Sequence, residues 1–222
     1  MKPYIICHMM TSVDGRIDCA MTEHLPGVED YYSTLAALNV PTTLSGRVTA
    51  ELEMASRGTF ESETVTPLGE AAFSKAADAA GYEVVVDTRG KLLWDDWRDE
   101  KPLLIIMSEK ATREYCAYLD SLGISWIAIG QEHIDLVRAC DILAREFGVE
   151  RMAVVGGGHI NGGFLAAGLL DEVSMLIGAG IDAREGMCAV FDGLPQESAV
   201  VPLHLQSVER MPSDAVWLRY TL

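Results

Sequence analysis

The chain reads as an α/β protein: a mixed, mainly parallel sheet flanked by helices, with an antiparallel C-terminal part. Two patterns predict this. Between residues 102 and 170 short apolar runs alternate with amphipathic stretches, and such alternation builds parallel strands joined by helical crossovers. After residue 170 the strand-like segments 171–177, 200–208 and 215–220 follow one another with little helix between them, which favours antiparallel pairing. With 222 residues, 49% hydrophobic content and no repeat or low-complexity linker, residues 1–222 are read as a single domain.

Taken in order, residues 3–9 form an apolar run suited to a buried first strand. Residues 27–38 read as a helix, with Glu29 and Asp30 near its start, where negative charge complements the helix dipole. Residues 41–45 are a short strand ending at Gly46. Residues 56–67 (SRGTFESETVTP) are polar and hydroxyl-rich, so a surface loop is expected. A helix over 70–80 leads into a strand at 82–86. Strand 102–107, helix 111–122 and strand 125–129 follow. In 133–147, Ile134, Val137, Cys140, Leu143, Ala144 and Phe147 make one apolar helical face. Strand 152–155 then meets three glycines, and a helix spans 164–170.

The net charge of −16 comes without a basic block, so the surface repels polyphosphate backbones and nucleic acid is not an expected partner. Five scattered cysteines, none in a C-x-x-C pair, read as small core residues in a reducing cytoplasm, with no disulfide framework and no metal site. The opening MKPYIICHMM is too brief for a membrane span and too poor in basic residues for a signal peptide, so a cytoplasmic protein with no membrane partner is expected.

The most informative stretch is RMAVVGGGHINGGFLAAGLLDE, residues 151–172. Glycines let backbone amides approach an anion, and a following helix adds positive partial charge. The spacing misses the G-x-G-x-x-G fingerprint by one residue and lacks its later acidic partner, so a standard Rossmann site is disfavoured. Three further segments follow strands: TSVDGRI (11–17), GRVT (46–49) and VDTRGK (86–91). Alone, each also reads as an ordinary turn, a helix cap or an exposed charged loop. Together with the glycine loop they point to one ligand lying along one sheet edge, and the cations of 86–91 suit the 2′-phosphate that separates NADPH from NADH.

KPYIICHMMTSVDGRI, SGRVT, VVVDTRGKL, GISWIAIGQEHIDL, VVGGGHINGGFLAAGLLDEVSMLI and VFDG occur in that order. This ordered set resembles the reductase of riboflavin biosynthesis, both the free-standing form and the C-terminal domain of the bifunctional deaminase–reductase. The resemblance runs from Lys2 onward, with an insertion around residues 56–80. It implies a dihydrofolate reductase-like fold, NADPH as coenzyme and a homodimer. It also implies reduction of a ribosylamino-pyrimidine phosphate, in which hydride reaches the carbon of a ring-opened C=N bond. Holding donor and acceptor carbons about 3–3.5 Å apart supplies much of the acceleration in such chemistry. The zinc signature of a fused deaminase (H-x-E with P-C-x-x-C) is missing from the sequence.

Carried over residue by residue, the resemblance places Gly46, Arg47 and Thr49 at the coenzyme phosphates and Thr88 and Arg89 at the 2′-phosphate. Ile129 falls beside the adenosine half, and Gly156, Gly157, Gly158, His159 and Ile160 fall over the pyrophosphate and nicotinamide ribose. Met10 and Glu53 join the coenzyme contacts, and His8, Asp14 and Glu53 are the catalytic candidates. His8, on an apolar strand, reads either as a packed neutral histidine or as a proton donor facing substrate. Trp94 and Trp97, near Asp95 and Asp96, read as a surface turn or dimer contact.

The chain departs from the family at His8 (a basic residue or Asn there), Glu53 (Asp) and Val155 (Glu). Ala179 replaces a proline, and the Asp-Pro-x-Leu stretch after Glu53 is missing. Val155 cannot accept a hydrogen bond, so a polar contact to substrate is lost while the coenzyme loop is kept. Three readings stay open: the phosphorylated aminopyrimidine reductase, an NADPH reductase of a pterin or another C=N or C=O substrate, and a non-catalytic nucleotide-binding protein.

Overall fold

The computed structural model describes residues 1–95, 97 and 99–222. The chain builds two compact units, residues 1–3 with 41–150 and residues 4–40 with 151–222.

The first unit holds β2 (Thr42–Gly46), α3 (Arg47–Glu53), β3 (Ala72–Ser74), β4 (Glu83–Val86), β5 (Leu103–Met107), α4 (Arg113–Ser121), β6 (Ser125–Ala128) and α5 (Leu136–Arg145), and the elements β1 (Tyr4–Thr11), α1 (Cys19–Thr22) and α2 (Val28–Ala37) before them belong to the second. Its strands run in the order β3-β6-β5-β4-β2. All are parallel except β3, which runs antiparallel to β6. β5, LLIIM, is buried along its whole length, as expected of a parallel strand covered on both faces. Thr112 caps α4 by accepting the Tyr115 amide at 3.1 Å, which turns Tyr115, Cys116 and Leu119 inward against Leu92, Trp94 and Trp126. Asp135 caps α5 in the same way through the Arg138 amide at 3.0 Å. That cap starts the helix later than residue 133 and leaves Val137 exposed instead of on the apolar face.

The second unit holds β1 (Tyr4–Thr11), α1 (Cys19–Thr22), α2 (Val28–Ala37), β7 (Arg151–Val154), α6 (Gly158–Ala166), β8 (Glu172–Ile177), β9 (His204–Arg210) and β10 (Val216–Thr221). The strand order is β7-β1-β8-β10-β9. β1 is parallel to β7 and β8, and β10 is antiparallel to β8 and β9, the expected antiparallel finish. Ile6, Met10, Leu25, Leu38, Leu176, Ala215 and Trp217 form a core cluster.

Four expectations are corrected. Residues 70–80 do not form a helix; β3 lies there instead. Ala72 and Ser74 pair with Ala128 and Trp126, Phe73 meets Phe147 edge-on at 6.2 Å, and Lys75 donates to the Glu146 carbonyl at 2.8 Å. This tertiary pairing satisfies the backbone and overrides an alanine-rich helix propensity. The helix expected at 164–170 begins at Gly158 and ends at Ala166. Any Cβ on Gly158 or Gly162 would strike the carbonyl oxygen of Ala189 or Asp192, so these glycines let α6 lie directly on that segment. Trp94 is no surface turn: it is buried and donates its indole N–H to Tyr115 Oη at 3.1 Å, while Trp97 packs edge-on against it. Asp96 lies outside the described residues. Among the cysteines, Cys7, Cys116 and Cys140 are core residues as expected, whereas Cys188 is exposed. Residues 56–67 are without helix or strand, as expected, and Ser56 and Pro67 are pinned by isolated bridges to Leu93 and Thr112.

Candidate active site

In the first unit, parallel register brings the C-terminal ends of β2, β4, β5 and β6 to one rim, since Gly46 pairs with Val86, Val86 with Ile106 and Met107 with Ala128. Gly46 is the N-cap of α3 in an extended conformation, and no side chain caps that helix. Arg47 extends outward and pairs with Glu51 at 2.9 Å, Thr49 is half-buried in the helix, and Glu53 is exposed at its end. The Ser45 hydroxyl, one residue before Gly46, is buried without a hydrogen-bond partner.

The turn after β4 is built by Asp87. Its Oδ2 accepts the Lys91 and Leu92 amides at 2.5 and 2.9 Å, and Gly90 takes φ +66° with the Tyr115 ring against it, a place with no room for a side chain. Thr88 and Arg89 sit on this turn. The neighbouring strand-end loops are bonded to it and to each other. Ser108 donates both its amide (3.0 Å) and its hydroxyl (2.9 Å) to the Thr88 carbonyl, and the Glu109 amide donates to Gly130 at 2.8 Å. Ile129, at the end of β6, is buried in this rim. Lys110 and Glu132 also belong to it, and neither was singled out in the sequence. Lys110 pairs with Glu132 at 2.8 Å, and Arg89 stands 3.9 Å from the other Glu132 oxygen.

In the second unit β1 and β8 end together, with Thr11 beside Ile177, whereas β7 ends at Val154 beside Cys7, midway along β1. Val155 and Gly156 follow β7, with Met9 packed against Gly156; the Gly156–Gly157 peptide is cis. Gly157 is the N-cap of α6, no side chain caps that helix, and open space surrounds its α-carbon. His159 is exposed and Ile160 half-buried on the first turn. These uncapped amides and the missing Cβ fit a diphosphate, as the cationic rim of the first unit fits a phosphomonoester.

The three catalytic candidates fare differently. His8 is fully buried: Nδ1 lies 2.9 Å from Ser174 Oγ, Nε2 lies 3.3 Å from the Tyr31 carbonyl, and the ring stacks on Tyr31 at 4.8 Å. Burial depresses its pKa to about 4. Burial thus gives His8 the surroundings of a packed neutral histidine, the first of its two readings. Asp14 accepts from the Ser12 hydroxyl at 2.7 Å and from the Asp182 and Ala183 amides, both at 3.0 Å. Those bonds, led by Ser12, hold its carboxyl well below the usual carboxylate range, so Asp14 is an ionised clasp near neutral pH. It ties the turn after β1 to residues 182–183, which Arg184 braces through Asp182 and Asp18. Glu53, like Asp14, is exposed. Met10 is buried at the end of β1. Among the described residues no cluster of His, Cys, Asp and Glu could hold a metal ion, and no helix is long and apolar enough to cross a membrane.

A mixed, mostly parallel sheet with flanking helices places the chain in the dihydrofolate reductase-like fold class. Within it, the chain belongs to the RibD C-terminal domain family, whose model matches residues 3–217. A pyrimidine reductase-like protein from Corynebacterium diphtheriae is similar in structure, with a TM-score of 0.72 and 15% identity over 99% of this chain and 91% of that one. RibD of Acinetobacter baumannii gives 0.72 and 18% over 99% of this chain, which spans only 58% of the RibD chain. The riboflavin biosynthesis reductase Rib7 of Saccharomyces cerevisiae gives 0.65 and 16% over 100% and 90%. Among proteins with curated descriptions none matches this chain in sequence.

Proposed function

We propose that residues 1–222 act as one NADPH-dependent reductase domain of the riboflavin-biosynthesis type, working in the cytoplasm as a homodimer on a phosphorylated aminopyrimidine. Family membership across residues 3–217 is the observation that carries this reading. The coenzyme would supply hydride to the carbon of a ring-opened C=N bond. The chain's own part is positioning. The uncapped amides of α6 and the Cβ-free Gly157 would seat the diphosphate, and Gly46, Arg47 and Thr49 would hold the phosphates. Thr88 and Arg89 would read the 2′-phosphate, with Ile129 against the adenosine. Since His8 is buried and Asp14 is ionised, Glu53 or water is left to deliver the proton to nitrogen.

An apolar sheet face supports the dimer. Leu205 pairs with Tyr220 and Val208 with Leu218, so the irregularity near Arg219 returns Leu205 and Val208 to one face, where both are exposed. The test is calorimetric titration with NADPH, followed by turnover with ribosylamino-pyrimidine phosphates, read from the coenzyme's near-ultraviolet absorbance. Binding with turnover is expected; no heat and no turnover would overturn the reading.

Val155 supports a second reading, in which the same coenzyme serves a pterin or another C=N or C=O acceptor. Under it, Val155→Glu leaves pyrimidine turnover unimproved, and a strong gain excludes it.

A further inference from the structure

The rim that carries Thr88 and Arg89 already contains an anion. Glu132 places one carboxylate oxygen 2.8 Å from Lys110 Nζ and the other 3.9 Å from Arg89 Nη2, so each oxygen addresses one cation. The arrangement is set by backbone: Ser108 ties the turn of Thr88 to the loop of Lys110, and Glu109 ties that loop to Gly130, two residues before Glu132. A second carboxylate, that of Glu109, is turned inward, accepting the Gly130 amide at 3.0 Å. The hydrogen bond from Lys110, then the charges of Lys110 and Arg89, lower the pKa of the Glu132 carboxyl. All three paired side chains are at least two-fifths exposed, so the carboxylate is free to swing into solvent.

A pair of cations spanned by the two oxygens of one exposed carboxylate has the geometry that two oxygens of a phosphomonoester would take. We propose that Glu132 is a displaceable internal anion. A ribose 2′-phosphate would replace it between Arg89 and Lys110, so Lys110 adds to phosphate recognition while Glu132 narrows the preference for NADPH over NADH. This rests on the coenzyme reading above. A dianion gains two cations on entering but must evict a carboxylate that already neutralises them. Coenzyme without the extra phosphate meets no such contest, and Glu132 then keeps the rim from standing as unpaired positive charge.

The experiment measures NADPH and NADH dissociation constants by calorimetry, without substrate, for the wild type, Glu132→Gln and Lys110→Met. Glu132→Gln should tighten NADPH about 3- to 10-fold and move NADH less than about two-fold. Lys110→Met should weaken NADPH by a similar factor, again sparing NADH, and both contrasts should shrink in high salt. If the wild type binds NADPH but Glu132→Gln leaves the NADPH-to-NADH ratio unchanged, the role of Glu132 falls and the coenzyme reading stands. A wild type that binds neither coenzyme overturns both.

Discussion

The Nδ1 of His8 lies 2.9 Å from the hydroxyl of Ser174, which also receives the Trp217 indole N–H at 2.8 Å. The Tyr31 carbonyl beside Nε2 can only accept, so Nε2 carries the proton and Ser174 donates to Nδ1. Protonating this ring would bury a charge, the dominant cost, and would turn Ser174 from donor to acceptor.

Acid stability should report it. The folded pKa of His8, about 4, lies below the ordinary 6.5, so the unfolded chain binds more protons between these values. Stability is full above 6.5 and is lost as pH falls toward 4, by on the order of 3 kcal/mol. Burial raises Glu83 to about 6, which acts in the opposite sense between 6 and 4.5. Urea denaturation of wild type and His8→Gln across this range should therefore be compared as a difference, and a flat difference would contradict the assignment.

Gly157 and Gly162 separate binding from folding. A Cβ on Gly162 would strike the Asp192 carbonyl, and Gly162→Ala should cost about 1–3 kcal/mol in denaturant unfolding. A Cβ on Gly157 meets nothing within 4 Å, so Gly157→Ala should leave stability unchanged while weakening NADPH binding about tenfold or more. Equal stability losses in the two variants would refute the distinction.

Asp87 offers a positioning test. Asp87→Ala leaves the amides of Lys91 and Leu92 without their acceptor, which should cost about 2–4 kcal/mol. Thr88 and Arg89 would lose their fixed turn, so NADPH affinity should fall while NADH affinity changes less. Asp87→Asn, which keeps one acceptor oxygen, should recover part of both effects.

The Asp14 clasp should be visible in amide exchange. Asp14→Ala frees the amides of Asp182 and Ala183, whose exchange should accelerate about tenfold while β1 and β8 stay protected. In the wild type the depressed pKa keeps the clasp as pH falls through 3.8, and protection should be lost only below it.

Self-association is tested on β9. Val208→Glu puts a charge on the exposed apolar face shared with Leu205, so sedimentation should show monomer where the wild type gives dimer. A monomeric wild type would remove the dimer from the proposed function.

The parallel strands β4 and β5 were legible as apolar runs, and the rims were legible because glycine, hydroxyl and cation follow strand ends directly. Gly46, Thr88 and Gly157 stand where that pattern puts them. What escaped depends on partners distant in sequence. Residues 70–80 look helical until β6 supplies a ladder for Ala72 and Ser74. His8 read either as packed or as facing substrate, because Ser174 and Tyr31, which enclose it, are distant in sequence. Lys110 and Glu132 carry no local sequence pattern, since it is the Ser108–Thr88 and Glu109–Gly130 bonds that gather them with Arg89.

β3 has a consequence for solubility at high concentration. It covers β6 for only three residues before Lys75 follows, so the outer margin there exposes a very short row of backbone donors and acceptors. A stray strand has too little to zip onto, and the ammonium group at its end discourages docking. Deleting residues 72–75 would bare the β6 margin, and amyloid-type stacking would become the hazard.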